Sequence, residues 1–166
     1  MKPVLTFLII FVLSLNLYAQ SPEETRFARS SFGLGLGIPY GILGINGEFA
    51  VWNNFSITGG VGTTILAGVG YNVGGKYYFR NVGNTWRPRI SAYYGTNAVA
   101  VVIGGNSDDD RTFSGITFGI GQQWMWGKNK SHGIDLDILY IASSKVFDRT
   151  DENGRVKFSI GYRMGF

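Results

Sequence analysis

The twelve residues Arg155–Phe166 alternate without interruption. Val156, Phe158, Ile160, Tyr162, Met164 and Phe166 are large and apolar, while Arg155, Lys157, Ser159, Gly161, Arg163 and Gly165 are charged, small or polar. A two-residue period belongs to a β-strand, whose successive side chains point to opposite faces. Seven more segments repeat it: Phe32–Ile38, Leu43–Val51, Phe55–Ile65, Val69–Phe79, Trp86–Thr96, Phe113–Trp124 and Ile134–Tyr140. Turn signals separate them, among them Pro39-Tyr40-Gly41, Trp52-Asn53-Asn54, Asn81 to Asn84 and Gly127 to His132. Longer connections are expected at Asn97–Arg111, whose apolar part Ala98–Ile103 is expected to extend the strands, and at Ser143–Gly154, with a short break near Ala67. Eight strands is an even number that brings both ends of the sheet to the same side. The expected fold is all-β, an eight-stranded antiparallel up-and-down β-barrel, which leaves no sheet edge exposed.

The next question is which face lies inside. An eight-stranded barrel has an interior just wide enough for side chains. The Leu, Ile, Val, Phe and Tyr of one face would overfill it, whereas the Gly, Ser, Thr and Asn of the other fit. The apolar face is therefore expected outward, against lipid, which makes the barrel a transmembrane one. Composition agrees: 16% charged, 15% aromatic and 25 glycines in 166 residues is too apolar for a disordered chain. The net charge of +4 is scattered, which argues against a nucleic-acid partner. The absence of cysteine excludes disulfides and thiolate chemistry.

Lys2 and the hydrocarbon run Val4–Leu17, followed by Tyr18-Ala19-Gln20, read as a secretory signal peptide over residues 1–19 with cleavage after Ala19. A short polar leader occupies residues 20–30 and the barrel residues 31–166. The aromatic residues supply a second argument for lipid. Trp52, Trp86, Trp124 and Trp126, with Phe55, Phe79 and Phe166, fall at or beside the turns on one side, and Tyr71, Tyr94 and Tyr140 fall toward the other. Two aromatic bands flanking an aliphatic zone mark the two interfaces of a membrane.

The signal peptide, the eight alternating strands, Gly74–Phe79 (G-G-K-Y-Y-F) and the final aromatic together resemble the small outer-membrane β-barrels of the OmpA/OmpX type. The resemblance implies the outer membrane of a Gram-negative bacterium and contact with outer-membrane lipid and lipopolysaccharide. It also implies insertion by the barrel assembly machinery, which would read Tyr162, Met164 and Phe166, and a monomeric state. With the chain stopping at Phe166, no peptidoglycan-binding domain and no cell-wall tether are implied.

The same parity turns Glu48, Lys76, Arg87, Arg89, Asp135, Asp137 and Arg163 inward, all near the turns that carry the tryptophans. Three acids and four bases in one narrow layer must pair, because buried charge is costly otherwise. A salt-bridged structural plug is expected, with a gated polar path as the alternative, and the glycines of the first strand leave room for Arg163. Other motifs carry less. Gly70–Lys76 approaches a phosphate loop, but Tyr77 stands where Ser or Thr is required and a strand period runs through it. Ser131-His132 lies at the wrong end for the lipid A chemistry of some outer-membrane barrels, and Asp108-Asp109-Asp110 has no cation-loop spacing and reads as a solvated acidic loop. The function expected is a non-enzymatic envelope barrel without cofactor or metal, contributing to envelope structure or displaying loops. The alternatives are a narrow small-solute or ion channel and, behind it, an outer-leaflet lipid-modifying enzyme.

Overall fold

The computed structural model describes residues 30–64, 68–100, 111–142 and 154–166. The proposed signal peptide, almost all of the leader, Ile65, the break at Ala67, Asp108 to Asp110 and most of the last loop lie outside them. Eight strands form one closed antiparallel barrel: β1 (Ser30–Gly37), β2 (Ile42–Ala50), β3 (Phe55–Thr63), β4 (Val69–Tyr78), β5 (Trp86–Ala100), β6 (Arg111–Trp126), β7 (His132–Ile141) and β8 (Val156–Gly165). Each strand pairs with its sequence neighbours, and β1 closes on β8 with Gly33 opposite Arg163 and Leu34 opposite Tyr162. Reciprocal backbone hydrogen bonds between Ser30 and Phe166 fasten the seam. The end where β1 begins and β8 finishes is the near end below, and the opposite end is the far end.

The parity predicted from sequence sorts the barrel cleanly. Residues with large apolar side chains on all eight strands are exposed, including Leu34 at 62%, Ile120 at 61% and Phe158 at 74%. Their neighbours Asn46, Thr58, Lys76, Arg89, Asp135 and Arg163 are buried at 4% or less. The molecule is thus apolar outside, and most of the side chains it buries are polar or charged.

Three features depart from the sequence expectation. First, Ile38 does not continue the outer face of β1. Ile38–Tyr40 forms a 3-10 turn whose three residues are all buried. The chain folds back into the lumen there, aided by left-handed glycines on both sides, Gly37 (φ 115°) and Gly41 (φ 65°). Second, β5 and β6 pass the ends that alternation marks at Thr96 and Phe113, reaching Ala100, within the apolar part of the loop expected to extend the strands, and Arg111. They take in the ends of what the sequence suggests is a loop from Asn97 to Arg111. Third, β5 carries an extra residue: the register steps from Thr96 opposite Ser114 to Ala98 opposite Phe113, so Asn97 is a bulge and is buried beside Thr96.

The return from the inward turn strains one residue. Ile42 has φ 86°, a conformation that a β-branched side chain rarely adopts. Such backbone costs of order 1–3 kcal/mol. Ile42→Gly is therefore expected to leave the urea midpoint of the folded barrel unchanged or raised. Ile45→Gly, three residues on in relaxed strand, is expected to lower it.

Candidate functional site: a closed, ion-paired lumen

The lumen holds two layers that different elements supply. The near layer is ionic. Asp135 on β7 is its centre, with Oδ1 2.9 Å from Arg89 Nη1 and Oδ2 2.6 Å from Arg163 Nη2 and 3.5 Å from Lys76 Nζ. Glu48 on β2 takes the other side, 2.8 Å from Lys76 Nζ and 3.0 Å from Arg163 Nη1. Arg89 also donates to both carboxylate oxygens of Asp137, at 2.9 and 2.8 Å. All these side chains are almost fully buried. Within the layer, three carboxylates thus meet three cations drawn from β2, β4, β5, β7 and β8. The pairings bridge the lumen, since β2 and β7 are not neighbours in the sheet.

Arg87 is the predicted lumen charge that stands apart. Its Nη1 donates to Gln123 Oε1 at 2.9 Å and its Nε to the Arg80 carbonyl at 3.3 Å. Its guanidinium lies 3.8 Å above the Tyr78 ring. Among the ion pairs of the described residues it takes no part. Uncharged side chains that the sequence reading passes over complete the layer. Tyr78 donates to Glu48 Oε1 at 2.5 Å, and Arg163 donates to Ser31 Oγ at 2.8 Å and Asn46 Oδ1 at 3.0 Å. Their inward parity is the signal that could have found them.

The far layer is built by the inward turn. Asn46 Nδ2 donates to the Pro39 carbonyl at 2.8 Å and Asn72 Nδ2 to the Ile38 carbonyl at 2.7 Å, so two strand asparagines satisfy the turn's backbone. Ile38 packs with Tyr93, Leu139 and Ile141 in an apolar cluster inside the barrel. Tyr40 lies against the inward glycines of β1 and β8. A Cβ placed on Gly35 would meet the Tyr40 ring at 2.7 Å, and one on Gly33 at 3.1 Å. One on Gly161 would collide with the Tyr40 hydroxyl and ring carbons. The room that the sequence suggests for Arg163 thus goes mostly to Tyr40. Arg163 reaches past it toward the near end.

The remaining predicted residues are placed as follows. Trp52, Trp86, Trp124 and Trp126 are exposed at or beside the near-end turns, and Trp86 sits directly opposite Trp124 in the β5–β6 ladder. Phe79 is exposed with them, while Phe55 is half-buried with its ring over Gly75. Tyr162 and Met164 point outward on β8, and Phe166 stacks on Phe32 with ring centroids 5.4 Å apart. His132 begins β7 and its Nδ1 shares a 2.6 Å hydrogen bond with the Tyr162 hydroxyl, whereas Ser131 Oγ donates to the Lys128 carbonyl. The two therefore form no nucleophile–base pair. Gly70–Lys76 lies inside β4 with no helix after it. Among the described residues, no cluster of three or more His, Asp or Glu side chains is arranged to hold a metal ion.

The chain matches no protein-family model and no curated protein sequence. What stands is the barrel itself, small, eight-stranded and closed. Its chemistry is that of a lumen filled with paired charge at one end and a packed turn at the other.

Proposed function

We propose that the chain is an integral outer-membrane protein of a Gram-negative bacterium. In this reading it is a non-enzymatic barrel of the OmpA/OmpX type that contributes to envelope structure or to interactions of its far-end loops. The observation that carries this is the inverted polarity: every strand turns large apolar side chains outward, while β2, β4, β5, β7 and β8 bury charge inside. In water such a surface would be a severe association hazard, whereas in a bilayer it is the stable arrangement. Exposed tryptophans at the near end and Tyr71, Tyr94 and Tyr140 toward the far end support two interfaces. The outward Tyr162, Met164 and Phe166 of the closing strand suit recognition by the barrel assembly machinery. The proposed partners are outer-membrane lipid and lipopolysaccharide, and the proposed state is a monomer.

The doubly filled lumen favours this reading over a channel. Expression in a Gram-negative host should place the protein in the outer-membrane fraction, migrating faster unheated than boiled in detergent gels. Recovery in a soluble fraction, or identical migration, would contradict it. Purified barrel in a planar bilayer should show no steady conductance, and regular open steps would instead favour the channel.

A further inference from the structure

We propose that one flank of the barrel, β4 to β7 at the near end, is a binding site for a single anionic glycerophospholipid. The proposal rests on the membrane reading above and adds a specific ligand class to it. The flank combines three features. An apolar groove of about 770 Å³ crosses the outer face from Phe55 on β3 to Val156 on β8, and within it Gly75 and Ala92 form a dip between Tyr77, Ile90 and Ile120. Toward the near end the same ladder passes Pro88 opposite Gln122, then Trp86 opposite Trp124. Beyond these lie Arg80 and Lys128, both exposed, and Lys130. Lys130 Nζ donates to Thr85 Oγ1 at 2.7 Å, tying the β6–β7 turn, which carries Lys128 and Lys130, to the β4–β5 turn, which carries Arg80.

Charge and length both select the occupant. The acids among the described residues are Glu48, Asp135 and Asp137, and all three are buried in the lumen. The basic rim therefore faces no exposed acidic side chain among those residues, and it attracts an anion. From Ala92 to Trp86 the strand climbs six residues, about 20 Å at the usual strand rise. At a tilt of about 45° that is roughly 14 Å of depth, close to half of a hydrocarbon core about 30 Å thick. With the cations at headgroup level, the dip at Ala92 lies well inside the hydrocarbon layer. The site thus offers an apolar groove bordered toward the near end by Ile90 and Ile120, four residues along the β5–β6 ladder from Trp86 and Trp124 and the cationic rim beyond them. That is the chemistry of a phosphodiester headgroup with its acyl chain, in the leaflet at the near end.

The test uses the full barrel in phosphatidylcholine vesicles. A minor fraction of the lipid is replaced by brominated-chain phosphatidylglycerol or by brominated-chain phosphatidylcholine. Bromine quenches tryptophan on contact, and Trp86, Trp124 and Trp126 border the site. One surface cation contributes roughly a fivefold preference for anionic lipid, so apparent affinity for phosphatidylglycerol should exceed that for phosphatidylcholine by at least about fivefold. The preference should fall in high salt and vanish in the combined variant Arg80→Gln, Lys128→Gln, Lys130→Gln. Ala92→Phe should weaken quenching by both lipids. Equal quenching of the wild type by the two lipids would overturn the site and leave the membrane reading intact, as would a preference that survives the triple variant. No quenching by either lipid would overturn the membrane reading and the site with it.

Discussion

Asp135→Ala is expected to destabilise the barrel more than any other single change in the lumen. Breaking a buried ion pair by removing one partner typically costs about 3–5 kcal/mol, because the surviving charge stays buried without compensation. Asp135 serves Arg89, Arg163 and Lys76 together, so its removal takes a partner from three cations in one layer. Each keeps one acid: Glu48 serves Lys76 and Arg163, and Asp137 serves Arg89. The layer would nonetheless hold one more buried cation than it has carboxylates. Asp137→Ala should cost less, since Arg89 retains Asp135. Arg87→Ala should cost least, since Arg87 rests on Gln123 and an aromatic face rather than on an acid. Urea midpoints of the folded barrel in detergent read the order directly. A midpoint for Asp135→Ala equal to that of the wild type would mean that the layer carries no stability.

The second large effect concerns the inward turn. Truncating a buried aromatic usually costs about 3–5 kcal/mol, and Tyr40→Ala should fall in that range because the ring fills the hollow over Gly33, Gly35 and Gly161. Tyr40→Phe should cost far less, which separates the ring from the hydroxyl. The glycines provide a sharper test. At Gly161 the three atoms nearest an added Cβ all belong to the Tyr40 side chain. Gly161→Ala should therefore be strongly destabilising in the wild type and well tolerated beside Tyr40→Ala. At Gly35 an added Cβ also meets the Ile160 carbonyl oxygen at 2.5 Å and the Gly161 Cα at 2.7 Å. Gly35→Ala should stay destabilising whatever occupies position 40. A double-mutant cycle with coupling at Gly161 and little at Gly35 is the expected result. Equal rescue at both, or at neither, would show that Tyr40 does not fill the space described.

Much of this was legible from the chain because strand parity is a strong constraint. Once Val156 through Phe166 are assigned outward, Arg163 must turn inward, and the same rule places Lys76 opposite Tyr77 and Asp135 opposite Ile134. Strand number, antiparallel order and the inward charges follow from that rule and from barrel width. What escaped it lies where period two stops. Pro39-Tyr40-Gly41 has the composition of a surface turn, and nothing local says that it folds into the lumen. That depends on Asn46 and Asn72, on two other strands, reaching its carbonyls. Tyr78 and Asn46 were legible in position but not in role, since neutral side chains do not announce themselves as partners of charge. The Asn97 bulge was hidden because a bulge breaks the alternation used to trace a strand, whereas the continuation of β5 was signalled by the apolar residues from Ala98 onward.

The central claim is that the outward face meets lipid. The chain has no cysteine, so a single one can be introduced and spin-labelled without a background. Labels at Ile116, Ile120, Leu136 and Ile160 in the vesicle-inserted barrel should collide readily with dissolved oxygen, which concentrates in hydrocarbon, and hardly at all with a water-soluble nickel chelate. A label at Lys157, exposed toward the far end, should show the reverse. Ready access of the nickel chelate to the four outward positions would place that face in water and contradict the account.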